Sequence, residues 1–261
     1  MQLDTLMPKL ALAVNSHESS EDVWQPFFGE LKKYEWDKLF DKIYIFSSRE
    51  PCIPIEDSLD AEVKLIIYDK NMPYSLQYLY CIKQVVEDYV VIANEDCIPN
   101  GFLKIDQIIR ICELLQSHQL KVDFVKCVRG TEILNDTQFE NIYLINQSSE
   151  MIFTQQVSIW NTSSLLNVYA HSPASFIARK GGVQQEQLGT NVCKELGIQG
   201  ALYYEGERKV GMYHYNSNIF PHICTAIVGG RWNMAEYPSE VLQLSQSYNI
   251  DLKIRGIYAS Y

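Results

Sequence analysis

The first half of the chain alternates short, β-branched apolar runs with stretches of helical periodicity, a pattern few folds accept. A strand, a helix and a further strand read as a βαβ unit, which builds a mostly parallel sheet with helices on its faces. Residues 10–14 (Leu-Ala-Leu-Ala-Val) form the first such run, ending at polar Asn15-Ser16-His17. Ser19 or Ser20, followed by Glu21 and Asp22, suits the start of a helix whose apolar stripe is Val23, Trp24, Phe27, Phe28 and Leu31. Residues 42–46 and 63–68 predict two more strands, the second stopping at Asp69, and residues 74–86 have helical spacing. Residues 89–93 (Tyr-Val-Val-Ile-Ala) make the most apolar strand, which belongs in the middle of the sheet with both faces covered. Helices are then expected over 102–115, 163–169, 184–196 and 238–248, and strands over 121–128, 142–145, 155–160, 202–204 and 211–214.

Charge narrows the partners. With 22 Lys and Arg against 32 Asp and Glu in 261 residues, the formal net charge is −10. That argues against nucleic acid, whose phosphates are held by Lys and Arg displacing counterions, and against an anionic membrane surface. A small polyanion stays open, because a metal ion and a few local cations can hold a diphosphate within an acidic protein. Seven scattered cysteines with no CxxC fit neither a disulfide framework nor a zinc site, and point to reduced, cytoplasmic, structural thiols. Residues 10–14 are too short for a signal segment, and no apolar stretch reaches the length of a membrane span. Without an internal repeat or a Pro/Gly linker, residues 1–261 read as a single domain.

In open α/β sheets ligands bind beyond the carboxyl ends of the strands. Three such ends carry polar residues: Asn15-Ser16, Asp69, and Asn94-Glu95-Asp96. Two adjacent carboxylates repel each other and need a cation, a basic partner or open solvent. Oxygen ligands of this kind suit Mg or Mn, which binds one or two carboxylates and leaves positions for substrate phosphate oxygens. The other option is a solvated turn running into Pro99-Asn100-Gly101. Asp69 is equally suited to an Asx turn before Asn71-Met72-Pro73.

An acidic turn closing a strand midway along such a chain resembles the nucleotide-sugar domain of GT-A glycosyltransferases, whose acidic motif holds the metal that binds the donor diphosphate. Residues 89–96 (Tyr-Val-Val-Ile-Ala-Asn-Glu-Asp) are similar to a group of bacterial and viral proteins with a strand–Glu-Asp motif here. That group also has a later Gln-x-x-Ile-Trp segment before a Leu pair, matched by Gln155–Trp160 and Leu165-Leu166. An acidic helix start, a His after Pro and a Gly-x-x-Trp element follow, matched by Glu186, Pro221-His222 and Gly229-Gly230-Arg231-Trp232. The likeness spans about residues 10 to 235 and rests on the order of short motifs.

The resemblance implies a GT-A-like α/β fold with a mixed, mostly parallel sheet, its nucleotide-binding half about 8–128 and its acceptor-side half about 129–261. It implies a metal-dependent, inverting glycosyltransferase acting on a nucleotide-sugar donor and a glycan or other acceptor. Asp96 and Glu95 would ligate Mn or Mg, with His222 as a third ligand. Asn15, Ser16, Asp69, Asn94 and Glu95 would border the nucleotide sugar, Trp160 would stack on the sugar, and Glu186 would be the catalytic base. Two departures stand out: Asn94 replaces the first acid of the usual Asp-x-Asp, and Glu186 is the one acid in residues 181–188. Each residue also has a plain structural role open to it: Glu186 as a helix-start acid, His214 and His222 as packed rings, Trp160 as a core aromatic. Arg179-Lys180-Gly181-Gly182 is a basic loop that resembles no P-loop. Two alternatives remain on the same scaffold: a catalytically silent carbohydrate- or partner-binding protein, and a nucleotidyltransferase. The chain has no GxGxxG after its first strand, no GxSxG and no HExxH.

Overall fold

A computed structural model describes residues 8–50, 55, 59–172, 182–211 and 215–259. The βαβ half begins with β1 (Leu10–Asn15), α1 (Glu21–Lys33), β2 (Lys42–Ser47), β3 (Glu62–Ile67), α2 (Tyr74–Ile82) and β4 (Tyr89–Asn94). Next come β5 (Ile98–Pro99), α3 (Ile105–Gln116), β6 (Phe124–Lys126), β7 (Leu134–Asp136), β8 (Ile142–Ile145) and β9 (Ser158–Asn161). The remainder is α4 (Thr162–His171), α5 (Gly182–Leu196), β10 (Gly200–Tyr203), β11 (His222–Ile223), β12 (Ile227–Val228), β13 (Arg231–Asn233), α6 (Pro238–Tyr248), α7 (Leu252–Arg255) and β14 (Ile257–Tyr258).

Nine strands form one sheet in the order β3-β2-β1-β4-β9-β6-β10-β8-β7. The set β3-β2-β1-β4 is parallel throughout, and β6 runs parallel to β10. β9 enters between β4 and β6 antiparallel to both, and β8 opposes β10 and β7. Seven strands therefore run one way and two the other, the mixed, mostly parallel sheet expected from the sequence. Because strand side chains alternate between faces, each central strand supplies both cores. Leu10, Leu12 and Val14 of β1 join one apolar cluster with α1, α3 and α6, while Ala11 and Ala13 face the other with α2, α4 and α5. β4 divides likewise, Val91 and Ala93 against Val90 and Ile92.

Several elements differ from their sequence limits, and for α2 and α3 the backbone hydrogen bonds show why. α2 stops at Ile82, where the amides of Gln84 and Val85 turn to Cys81 O (3.0 Å) and Ile82 O (3.1 Å) and tighten the last turn. α3 starts at Ile105 rather than at 102, because residues 100–104 lie along a distant segment: Asn100 N donates to Pro221 O (2.8 Å) and Lys104 N to Ile219 O (3.2 Å). β6 covers only 124–126 of the expected 121–128. Residues 212–214 of the expected strand lie outside the described residues. Gly229 and Gly230, with φ of +56° and +77°, form the two-residue turn between β12 and β13 that such a dipeptide favours.

A Cβ at Gly200 would overlap the ring of Phe124, which is stacked on Trp160 with centroids 4.1 Å apart and is wholly buried. Gly200→Ala is therefore expected to cost about 1–3 kcal/mol as an overpacking change. A urea titration should show a lower midpoint with an unchanged slope.

Candidate active site

The strand order reverses between β1 and β4: the chain moves outward through β2 and β3, then returns to the opposite side of β1. Such a switch point opens a crevice at the carboxyl ends of the strands. Asn15 closes β1 and Asn94 closes β4, paired in register, with Asn15 Nδ2 3.4 Å from Asn94 Oδ1. Glu95 follows, its amide donating to Asn15 O (3.2 Å), and then Asp96, whose carbonyl accepts from Ala226 N (2.9 Å). Asn15, Asn94, Glu95 and Asp96, far apart or merely consecutive in sequence, thus meet at one edge.

Glu95 is buried, and burial pushes its carboxyl above the usual carboxylate range. The nearby polar groups of Ser20 and of the Glu95 and His17 backbone offset this in part. Ser20, a candidate helix cap, makes no cap bond. Asp96 is also pushed up, first by burial and then by the charge of Glu95. The cation acting on both is Arg255 of α7. Its Nε donates to Asp22 Oδ2 (2.9 Å) and its Nη2 to Ser19 O (2.7 Å), so it is fixed beside α1. Tyr68 and Tyr74 feel the charge of Glu95 as well; burial raises both phenols.

The other predicted residues fall as follows. Ser16 is 1% exposed and already engaged: its Oγ accepts from Trp24 Nε1, its carbonyl from the Tyr68 hydroxyl (2.9 Å), and its amide donates to Phe46 O (2.9 Å). It belongs to the scaffold at the end of β1 and has almost no surface to offer a nucleotide. Asp69 is exposed and makes the Asx turn, its Oδ1 accepting from Asn71 N and Asn71 Nδ2, both at 2.9 Å. Trp160 is 0% exposed, stacked on Phe124 and tilted against Phe153, with Nε1 donating to Ser158 Oγ (3.0 Å). The expectation that it stacks on a sugar is corrected: its ring is sealed in the core. His222 pairs opposite Pro99 and is 5% exposed, its Nδ1 bonded to Phe220 O. Among the described residues no three His, Cys, Asp or Glu side chains gather into a group able to hold a metal, so His222 does not extend the Glu95–Asp96 pair into one. The 179–181 loop and His214 lie outside the described residues.

Glu186 sits in the first half of α5, partly buried, with Oε1 accepting from Gln155 N (2.9 Å). Gln155 Nε2 in turn donates to the Tyr74 hydroxyl. A hydrogen-bonded path therefore runs from Glu186 through Gln155 to Tyr74, which feels Glu95. Burial raises the Glu186 carboxyl, and the Gln155 amide and Lys126 pull it partway back. Lys126 is the last residue of β6, ion-paired to Glu132 with both side chains buried. Burial alone would raise Glu132, but the Lys126 charge and the Gly130 amide (2.7 Å) hold it low. Sequence reasoning missed Lys126, Glu132 and Arg255. A lone Lys inside the apolar run Phe124-Val125-Lys126-Cys127-Val128 was a usable signal; Arg255, some 160 residues from the acidic turn, offered none.

The nucleotide-diphospho-sugar transferase fold accounts for this arrangement of sheet and crevice, and the chain shares it with solved structures. S. aureus TarS 1–349 superposes with a TM-score of 0.50 at 12% identity over 80% of this chain and 60% of that one. The same TarS region in complex with UDP gives 0.50 at 13% identity over 79% and 60%. UDP-glucose pyrophosphorylase complexed with UDP-glucose gives 0.50 at 9% over 76% and 90%. At these identities the likeness defines the fold, and the chain spans only about 60% of the TarS chain it matches. No family model matches the sequence, and no curated protein matches it. No described helix is long and apolar enough to cross a membrane.

The acidic pair makes stability depend on pH in a defined direction. Both carboxyls titrate higher folded than unfolded, so the folded state holds more protons above the ordinary carboxylate range near pH 4, and stability falls as pH rises from there toward neutrality. Asp96→Asn is expected to flatten that slope and to be more stable than wild type at pH 7–8, with the difference vanishing near pH 4. Urea midpoints measured across this range in chelator test it.

Proposed function

We propose that the chain is a glycosyltransferase that moves a sugar from a nucleotide-sugar donor to an acceptor hydroxyl with inversion. The observation that carries this is the meeting of Asn15, Asn94, Glu95 and Asp96 at the β1/β4 switch point, with a raised carboxylate, Glu186, linked to the same edge through Gln155 and Tyr74.

Two adjacent carboxylates raised by burial, Asp96 also by the charge of Glu95, and compensated only in part by Arg255, suit a divalent cation shared with a diphosphate, since Mg needs only one or two carboxylates when phosphate oxygens complete its shell. Asp96 and Glu95 would hold that Mn or Mg ion. When bound, it supplies charge neutralisation on the departing diphosphate. Asn15 and Asn94 offer amide donors and acceptors to the donor's ribose or phosphates. Glu186 takes the acceptor proton as the acceptor oxygen forms its bond to the anomeric carbon. The bond from that carbon to the diphosphate oxygen breaks with its electron pair, and the nucleoside diphosphate leaves. A carboxyl lifted by burial is a better base at neutral pH than an exposed one.

Thermal unfolding with nucleotide sugars and nucleoside di- and triphosphates, each with Mn, Mg or chelator, tests the donor site. A cognate donor at about 100 times its Kd stabilises by about 2.7 kcal/mol. At this chain length that raises Tm by about 2–4 °C per kcal/mol. The shift should require metal and vanish in Asp96→Ala. Absence of any metal-dependent shift would favour the silent scaffold, and a preference for a triphosphate would favour nucleotidyl transfer. Glu186→Gln should keep the donor shift while lowering transfer, or slow donor hydrolysis, about 10²- to 10⁴-fold.

A further inference from the structure

β9 is antiparallel to both β4 and β6, and β10 is parallel to β6, so β4, β6 and β10 all end at the edge that carries the acidic turn. Past those ends, on the other side of β9 from Asp96, stand Arg129, three residues beyond β6, and Tyr204, the residue after β10. Tyr215 joins them from a separate segment, its amide donating to Arg129 O (3.1 Å). The two rings meet edge to face, with centroids 5.8 Å apart and planes at 79°. The Arg129 guanidinium carbon sits in the corner they make, 4.6 Å from the Tyr204 centroid and 5.3 Å from that of Tyr215. Cation–π attraction at these distances holds the charge in place without using its N–H donors. All three residues are half-buried, so the guanidinium is braced and still has surface to offer a ligand.

Charge pairing sets Arg129 apart. Arg49, Lys70, Lys126 and Arg255 at this edge each hold a carboxylate. Arg129 holds none among the described residues, and its side-chain N–H groups make no hydrogen bond there. The acids near it are committed elsewhere: Glu132 to Lys126 and the Gly130 amide, Glu207 to the amides of Glu205 (2.7 Å) and Asn218 (3.4 Å). Lys209 adds a second cation, since it is bridged antiparallel to Tyr215 and cross-strand partners share a face. A braced guanidinium with its fork of donors unused matches an oxyanion that takes two bonds at once, a carboxylate or a phosphate.

Position decides which reactant carries that anion. The ends of β4 and β6 are two strand spacings apart, about 10 Å, so an anion at Arg129 is separate from a diphosphate at the acidic turn. Glu186 belongs to the Arg129 side: Lys126 at the end of β6 acts on it, and Gln155 ties it to the segment that crosses to β9. A chain of net charge −10 also repels an anionic acceptor unless a local cation receives it. We propose that Arg129, braced by Tyr204 and Tyr215, binds a carboxylate or phosphate group of the acceptor. This rests on the glycosyltransferase reading above and adds to it the chemical class of the acceptor, an anionic sugar derivative.

NMR titration of the full chain, with UDP and Mg present to fill the donor site, tests this. The probes are methyl glucuronide, which carries a carboxylate, glucose 6-phosphate, which carries a phosphate, and neutral methyl glucoside. At least one charged probe should bind wild type more tightly than the neutral one, and whichever does so identifies the oxyanion. Arg129→Gln should weaken that binding by about tenfold or more, the loss of a charge-assisted contact, with UDP affinity and unfolding midpoint unchanged. Arg129→Lys keeps the charge without the fork and should recover only part of the loss. Tyr215→Phe should bind as wild type does, whereas Tyr215→Leu, which removes a wall of the corner, should lose about 2- to 5-fold. These two variants and Arg129→Lys decide the matter if Arg129→Gln fails to fold. Charged probes that bind no better than the neutral one, charged-probe affinity untouched in the Arg129 variants, or a parallel loss of UDP affinity in a folded variant would overturn the acceptor site and leave the donor site standing. Failure of UDP to bind wild type would overturn the donor site instead, and the same comparison of probes without UDP would still judge Arg129 as an anion site.

Discussion

Everything at the candidate site hangs on the parallel pairing of β1 with β4. Both strands are sealed on both faces, β1 by side chains that are 5% exposed or less from Leu10 to Val14. A strand so placed can neither slip nor tilt without moving two cores at once, because a one-residue slip would exchange every side chain between faces. The pairing therefore delivers Asn15 and Asn94 to the same level, and the two acids after Asn94 have nowhere to go but the crevice rim. The electrostatic strain of that rim is the counterpart of the order beneath it. Arg255 relieves the rim in part, reaching it from a segment itself bound to α1.

What the sequence exposed and what it hid divide along physical lines. Runs of apolar residues announce strands whatever their partners, so β1, β2, β3 and β4 and the acidic turn after them were legible. Tertiary partners leave no local trace. The start of α3 moved because residues 219–221 take up the backbone groups of residues 100–104, and nothing near Phe102 signals this. The same limit applies to side chains with two possible roles. Trp160 and Ser16 carry chemistry that suits a ligand, but burial and existing partners give both to the scaffold. Glu186 could have been a plain helix-start acid; its bond to Gln155 ties it instead to the strand crossing.

Charge within this acidic chain is distributed economically. Lys126 acts on Glu186 and Arg255 on Glu95 and Asp96, and each of these cations is held by a carboxylate of its own, Glu132 and Asp22. Neither is a loose surface charge. A buried or half-buried ion pair of this kind contributes little net stability, since desolvation offsets much of the attraction, but it fixes where the charge sits. Fixed charge is what a site that handles a diphosphate and a proton requires, because preorganised groups need no rearrangement as the reaction proceeds.

The antiparallel entry of β9 has a consequence for how the protein comes into being. β6 lies within the first 128 residues, yet it touches β4 only through β9, which is made some thirty residues later. Until residues 158–161 arrive, the most apolar strand of the sheet presents a bare edge, an invitation to pair with another chain. The two halves distinguished by their expected ligands are thus not successive building blocks. They are interleaved, and a polypeptide halted at residue 128 would hold the acidic turn but lack the strand that closes the sheet beside it.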